Sequence, residues 1–144
     1  PHGNKEILIK VANKNIKKKN RVYCNFDPNT NKERYQILEK IKSYNFIDFE
    51  KNNLDYETYL TKLASYEYVI SPPGNSVDCH RIWESIYLKT LPIVQTHHAL
   101  DKFTDLPIKF ITDWDDIKLE KINNSSKNNI FNFKVIEKEI LTGK

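Results

Sequence analysis

The sequence predicts a single α/β domain with a mainly parallel sheet, and three observations carry that reading. Short apolar runs recur along the chain, at Arg21 to Phe26, Phe46 to Phe49, Tyr68 to Ile70, Pro92 to Val94 and Ile108 to Thr112. Between them lie stretches whose apolar residues repeat with a helical period, the alternation expected of parallel strands covered by helices. The 144 residues suffice for one domain with a real core and fall short of two.

In chain order, Glu6 to Ala12 (EILIKVA) is a short apolar run with β-branched residues, expected as a first strand closed by Asn13-Lys14-Asn15. Arg21 to Phe26 (RVYCNF) alternates and is expected beside it in the same sheet, closed by Asp27-Pro28-Asn29. Thr30-Asn31-Lys32-Glu33 has capping-box spacing, which predicts a helix over residues 31–44 with Tyr35, Ile37, Leu38 and Ile41 as its apolar residues. Phe46 to Phe49 is a short strand candidate. Asp55 is placed to cap a helix running through Ser65, on which Tyr56, Tyr59, Leu60, Leu63 and Ala64 repeat with a helical period. Phe103 to Pro107 reads as an irregular connection, Ile108 to Thr112 as a strand, and residues 133–141 as a last helical stretch.

The centre of the chain is Tyr68 to Thr96. A strand breaks at Ser71-Pro72-Pro73-Gly74-Asn75, an amphipathic segment from Cys79 to Thr90 follows, and Pro92 to Val94 opens the next strand. Gly74, Asn75, Ser76, Asp78, His80, Arg81 and Glu84 gather there. Gly74 and Asn75 tolerate positive φ, and the helix behind them presents N–H groups and a positive dipole end, a suitable seat for an anion. His80, Arg81 and Glu84 fall at helical spacings that let them share one face, while Ile82, Ile86, Trp83 and Tyr87 suit packing under a sheet. Arg81 with Glu84 also has the spacing of a simple intrahelical ion pair.

The string S-P-P-G-N-S-V-D-C-H-R-I-W-E-S-I-Y-L-K-T-L-P-I-V resembles the donor-binding segment of exostosin-like glycosyltransferases, whose pattern is close to P-x-G-N-G-x-D-x-H-R-x-W-E-A-L-x-x-G-x-I-P-I-V. Ser76 stands where glycine is usual, and Lys89-Thr90 replaces the usual small-residue end of the helix. The resemblance implies a Rossmann-like three-layer domain, as in the C-terminal half of a GT-B glycosyltransferase, holding a nucleotide-sugar. It implies that Arg81, with His80, faces the diphosphate as the catalytic pair, and that Glu84 accepts from the ribose hydroxyls. Gly74, Asn75, Ser76 and Asp78 are then the remaining donor-binding residues. The implied activity is metal-independent transfer of a sugar, from uridine diphosphate by family habit, to the hydroxyl of a glycan or other acceptor, with no cofactor beyond the donor. The alternative is a non-catalytic nucleotide or nucleotide-sugar binding module, because no general base for the acceptor is placed by the sequence.

A complete GT-B enzyme has two such domains and the chain opens on Pro1-His2-Gly3-Asn4, so the expectation is a fragment of a longer protein, with any catalytic base upstream. Its compartment stays open: cytoplasmic, or membrane-associated through a segment outside this chain. The net charge of +4 comes from 23 Lys and Arg against 19 Asp and Glu, much of the excess lying in Lys14 to Arg21 (KNIKKKNR). That run is expected as a solvated loop, and with no interleaved aromatics it argues against nucleic-acid binding. Cys24 and Cys79 have neither zinc-site spacing nor disulfide-scaffold numbers and are expected as small buried residues. Asp113-Trp114-Asp115 matches a D-x-D metal motif superficially, but Asp113 is spaced to cap a helix that Asp115 and Asp116 would favour, so no metal is expected. His97-His98 lies beyond a strand end near the site, without carboxylate or cysteine at ligand spacing.

Overall fold

The computed structural model describes residues 5–29, 32–51, 53–72, 80–96 and 105–117. Five strands form one sheet: β1 (Lys19–Cys24), β2 (Ile47–Phe49), β3 (Tyr66–Ile70), β4 (Leu91–Gln95) and β5 (Lys109–Ile111). Their order is β2-β1-β3-β4-β5, and every neighbouring pair is parallel. Four helices accompany them, α1 (Lys5–Ala12), α2 (Lys32–Ile41), α3 (Tyr56–Ala64) and α4 (His80–Tyr87), with a 3-10 turn at Trp114–Asp116.

Alternation along each strand sorts the core into two faces, as a sheet buried on both sides requires. Val22, Cys24, Tyr68, Ile70, Leu91 and Ile93 pack with Ile37 and Ile41 of α2 and with Trp114 of the 3-10 turn. On the other face Tyr23, Tyr66 and Val69 meet Leu8 and Val11 of α1 and Leu60 and Leu63 of α3, while Val94 meets Ile82, Trp83 and Ile86 of α4. This is a three-layer, Rossmann-like α/β arrangement.

The predicted strand at Glu6 to Ala12 is a helix, α1. Leu8 and Val11, three apart, are buried against α3, and both lateral partners of β1 are already taken by β2 and β3. A short apolar run does not separate helix from strand by periodicity, and here the available packing surface decides. α2 ends at Ile41 rather than at Tyr44, and Tyr35 lies on its outer side, 53% exposed. The capping-box residues Thr30 and Asn31 lie outside the described residues, as do residues 133–141. Asp55 does cap α3, its side chain accepting from the Thr58 amide, and Asp113 caps the 3-10 turn by accepting from the Asp115 amide. Lys40 pairs with Asp113 and Asp115 across the gap from α2.

The lysine-rich run does not stay a solvated loop. Lys14 and Lys17 are exposed, but Lys19 and Arg21 belong to β1, and Lys18 is half-buried. The Lys18 ammonium donates to Ala64 O at 2.8 Å, Tyr66 O at 3.1 Å and Thr90 Oγ1 at 2.9 Å, tying the start of β3 to the turn before β4. That turn closes α4 with paired bonds from Lys89 N to Ile86 O and from Thr90 N to Ser85 O, a Schellman arrangement, with Lys89 in the left-handed region at φ 62°.

Candidate functional site

In an open parallel sheet the ligand crevice lies beyond the carboxyl ends of the strands where the winding reverses. Here the chain leaves β1 for β2 on one side and returns to β3 on the other, so that point falls between β1 and β3. The residues just beyond it are Asn25 after β1 and Ser71 after β3. The helices α2, α3 and α4 follow β1, β2 and β3, so all three begin at this same edge.

Arg81, in the first turn of α4, donates from Nη2 to Oδ1 of Asn25 at 3.1 Å. Its guanidinium lies 5.7 Å from the centre of the Tyr59 ring, within the range of a cation–π contact. Glu84, one turn further on, is 5% exposed. Its Oε2 accepts from the Tyr56 hydroxyl at 2.6 Å and its Oε1 from the Tyr59 hydroxyl at 3.1 Å. The structure thus gives Arg81 and Glu84 partners just beyond β1 and on α3 rather than leaving them as an isolated surface pair. Tyr59 touches both.

A second arginine braces the neighbouring loop. Arg34, buried in the first turn of α2, donates to Asp27 O at 3.0 Å and lies 5.5 Å from the Phe26 ring centre. The fields of both arginines reach Cys24, whose thiol burial pushes up to about 12 against the pull of Arg81 and Arg34. Cys24 is thus a buried, protonated thiol at neutral pH, as expected. Burial also holds the Tyr59 and Tyr23 hydroxyls well above the usual phenol range, so both are donors at any physiological pH.

Ser71 is buried, and by the alternation of β3 it shares the face of Val69, the one that carries α4. Its Oγ has no hydrogen-bond partner among the described residues. His80 opens α4 and is exposed. Gly74, Asn75, Ser76, Asp78 and Cys79 lie outside the described residues, as do His97 and His98. Of the predicted donor-binding set, Arg81 and Glu84 therefore stand together at the switch point with His80 at its rim. The predicted chemical face is divided, because Glu84 turns to α3 instead of to solvent.

The sequence offers Asn25, Tyr56 and Tyr59 only as strand and helix residues. Two tyrosines on the packing face of one helix need partners for their hydroxyls, and a carboxylate on the packing face of another needs donors, so the pairing had a signal. Among the described residues no three His, Cys, Asp or Glu side chains converge as a metal ion would require.

No model of a known protein family matches the chain, and no curated protein matches it.

Proposed function

We propose that this chain is the donor-binding domain of a glycosyltransferase, moving a sugar from a nucleoside diphosphate donor to an acceptor hydroxyl. The observation that carries the reading is the position of Arg81. A guanidinium fixed by Asn25 and Tyr59 at the switch point, beside the N-terminus of α4, offers positive charge where a diphosphate would lie in a Rossmann-like fold. As the sugar–oxygen bond breaks, charge grows on the departing diphosphate. The helix end and Arg81 stabilise it there, and Arg34 adds a second positive charge nearby. Ser71 Oγ is a further donor at the same edge.

Glu84 supplies the complementary half. Each carboxylate oxygen accepts one tyrosine hydroxyl and retains capacity for another donor, which suits a ribose diol. The end of α4 supports the family resemblance independently of the site: the quoted pattern has glycine where Lys89 stands, and Lys89 adopts the positive φ that glycine favours.

Titration calorimetry with uridine diphosphate and inorganic pyrophosphate, in EDTA, tests the reading. Arg81→Ala is expected to weaken both ligands by about 1–3 kcal/mol, the range of a charge-assisted hydrogen bond. Glu84→Gln is expected to weaken uridine diphosphate by a similar amount and to leave pyrophosphate nearly unchanged, since pyrophosphate has no ribose. Equal affinities across the three proteins, or binding that appears only with manganese, would remove the assignment.

A further inference from the structure

Tyr59 meets both of the candidate site residues that α4 brings to the switch point. It lies in the first turn of α3, the helix whose N-terminus opens on the same sheet edge as that of α4. Its hydroxyl donates to Glu84 Oε1 while its ring lies against the Arg81 guanidinium. One side chain therefore contacts both the carboxylate and the cation. Tyr56, at the start of the same helix, reaches the other carboxylate oxygen. A carboxylate bonded on both oxygens has its plane and tilt fixed, and a guanidinium held between a ring face and an amide oxygen has its plane fixed as well.

We propose that Tyr59 is a positioning residue that sets the diol-reading carboxylate and the diphosphate-reading guanidinium in register, so that the site selects ribose-bearing diphosphates over their deoxy counterparts. This rests on the donor-site reading above. The Tyr59 hydroxyl orients Glu84 and also faces the Arg81 guanidinium, while its ring supports Arg81. Tyr56 separates the two functions, because its hydroxyl donates to the other oxygen of Glu84. Because burial keeps the Tyr59 hydroxyl protonated, it acts as a donor to Glu84 throughout the working pH range.

The experiment compares uridine diphosphate, 2′-deoxyuridine diphosphate and inorganic pyrophosphate by calorimetry on the whole chain, with Tyr59→Phe, Tyr59→Leu and Tyr56→Phe beside wild type. Wild type is expected to prefer the ribose ligand over the deoxy ligand. Tyr59→Phe should weaken uridine diphosphate about tenfold, the scale of one hydrogen bond to a charged group. It should also narrow the ribose preference by roughly threefold or more, the hydroxyl being a group that orients the carboxylate, while pyrophosphate, which feels only the loss of the hydroxyl beside Arg81, weakens less than uridine diphosphate. Tyr59→Leu should in addition weaken pyrophosphate by about threefold to tenfold, as the ring beneath the guanidinium is gone. Tyr56→Phe should weaken uridine diphosphate and narrow the ribose preference with pyrophosphate unchanged, which keeps the question open to measurement if Tyr59→Leu does not fold by circular dichroism.

Loosening of the fold alone would make Tyr56→Phe weaken all three ligands together with the ribose preference unchanged, and that result overturns the proposal. Tighter uridine diphosphate binding by either phenylalanine variant also overturns it, since the tyrosine hydroxyls would then compete with the ribose instead of orienting its acceptor. Failure of wild type to bind any of the three ligands refutes the donor site itself, an outcome visible before any variant is made.

Discussion

Lys89→Gly tests the backbone at the end of α4 without touching the candidate site. Lys89 sits at φ 62°, a region in which a side chain with a Cβ costs on the order of 1–2 kcal/mol. It is held there because the Lys89 and Thr90 amides bond back to Ile86 O and Ser85 O, satisfying two helix-end carbonyls. Glycine removes the steric cost and returns part of it as greater freedom in the unfolded chain, about 0.5–1 kcal/mol. It also forfeits a favourable cation at the helix C-terminus, worth about 0.3 kcal/mol or more at an exposed position. The expected net is a stabilisation of about 0.2–0.7 kcal/mol, or a rise of roughly 1–2 °C in the thermal midpoint for a domain of this size. Lys89→Ala is the control, since it removes the same charge but keeps the Cβ. Urea unfolding of the three proteins should place Gly above Ala by about 1 kcal/mol. If glycine is no more stable than alanine, the left-handed turn is not what limits this helix end, and the support it lends to the family resemblance disappears.

Two further predictions concern groups away from the site. Burial lowers the Lys18 ammonium from the ordinary lysine value of 10.5 to about 8, Glu67 opposing the shift and Lys89 adding to it. Between those values the unfolded chain binds the proton and the folded one has released it, so this lysine's contribution to stability increases as pH rises from about 8 toward 10.5. The difference in unfolding free energy between wild type and Lys18→Met, which cancels the opposing effects of Cys24 and the buried tyrosines, should grow over that window; a flat or falling difference contradicts the shift. Asp113→Ala should cost about 0.5–1.5 kcal/mol through loss of a cap and a mostly solvent-screened ion pair. Manganese should leave the wild-type thermal midpoint unmoved, and a clear manganese stabilisation abolished by Asp113→Ala would instead favour the metal motif.

How much could be read in advance divides by the range of the interaction. The caps at Asp55 and Asp113 were legible because a cap needs only its own side chain and an amide two or three residues on. The strands β3 and β4 and the helix between them were legible because their pattern is long and bracketed by loop residues. Residues 6–12 were not, because EILIKVA suits either period and only its contact with α3 chooses. The partners of Glu84 were legible only as a need, buried tyrosine hydroxyls wanting an acceptor: Tyr59 is 25 residues away and Tyr56 is 28, so local spacing offered Arg81 as the obvious neighbour. Lys18 was hidden in the same way, inside a run of lysines whose composition suggests solvent and whose middle member is held by three oxygens from distant elements.

The two ends of the sheet treat their polar groups differently, and the difference bears on where chemistry can occur. At the amino end, Lys18 has three hydrogens and three oxygens, and Thr90 Oγ1 joins Leu63 O and Tyr66 O in the same cluster. Such a group holds structure together and has nothing left to offer a ligand. At the carboxyl end, Ser71 Oγ is buried without a partner among the described residues, and each oxygen of Glu84 accepts a single tyrosine. Among the described residues, the hydrogen-bonding capacity that Ser71 and Glu84 leave unused therefore lies where the winding of the sheet reverses, beside the arginine that a diphosphate would meet.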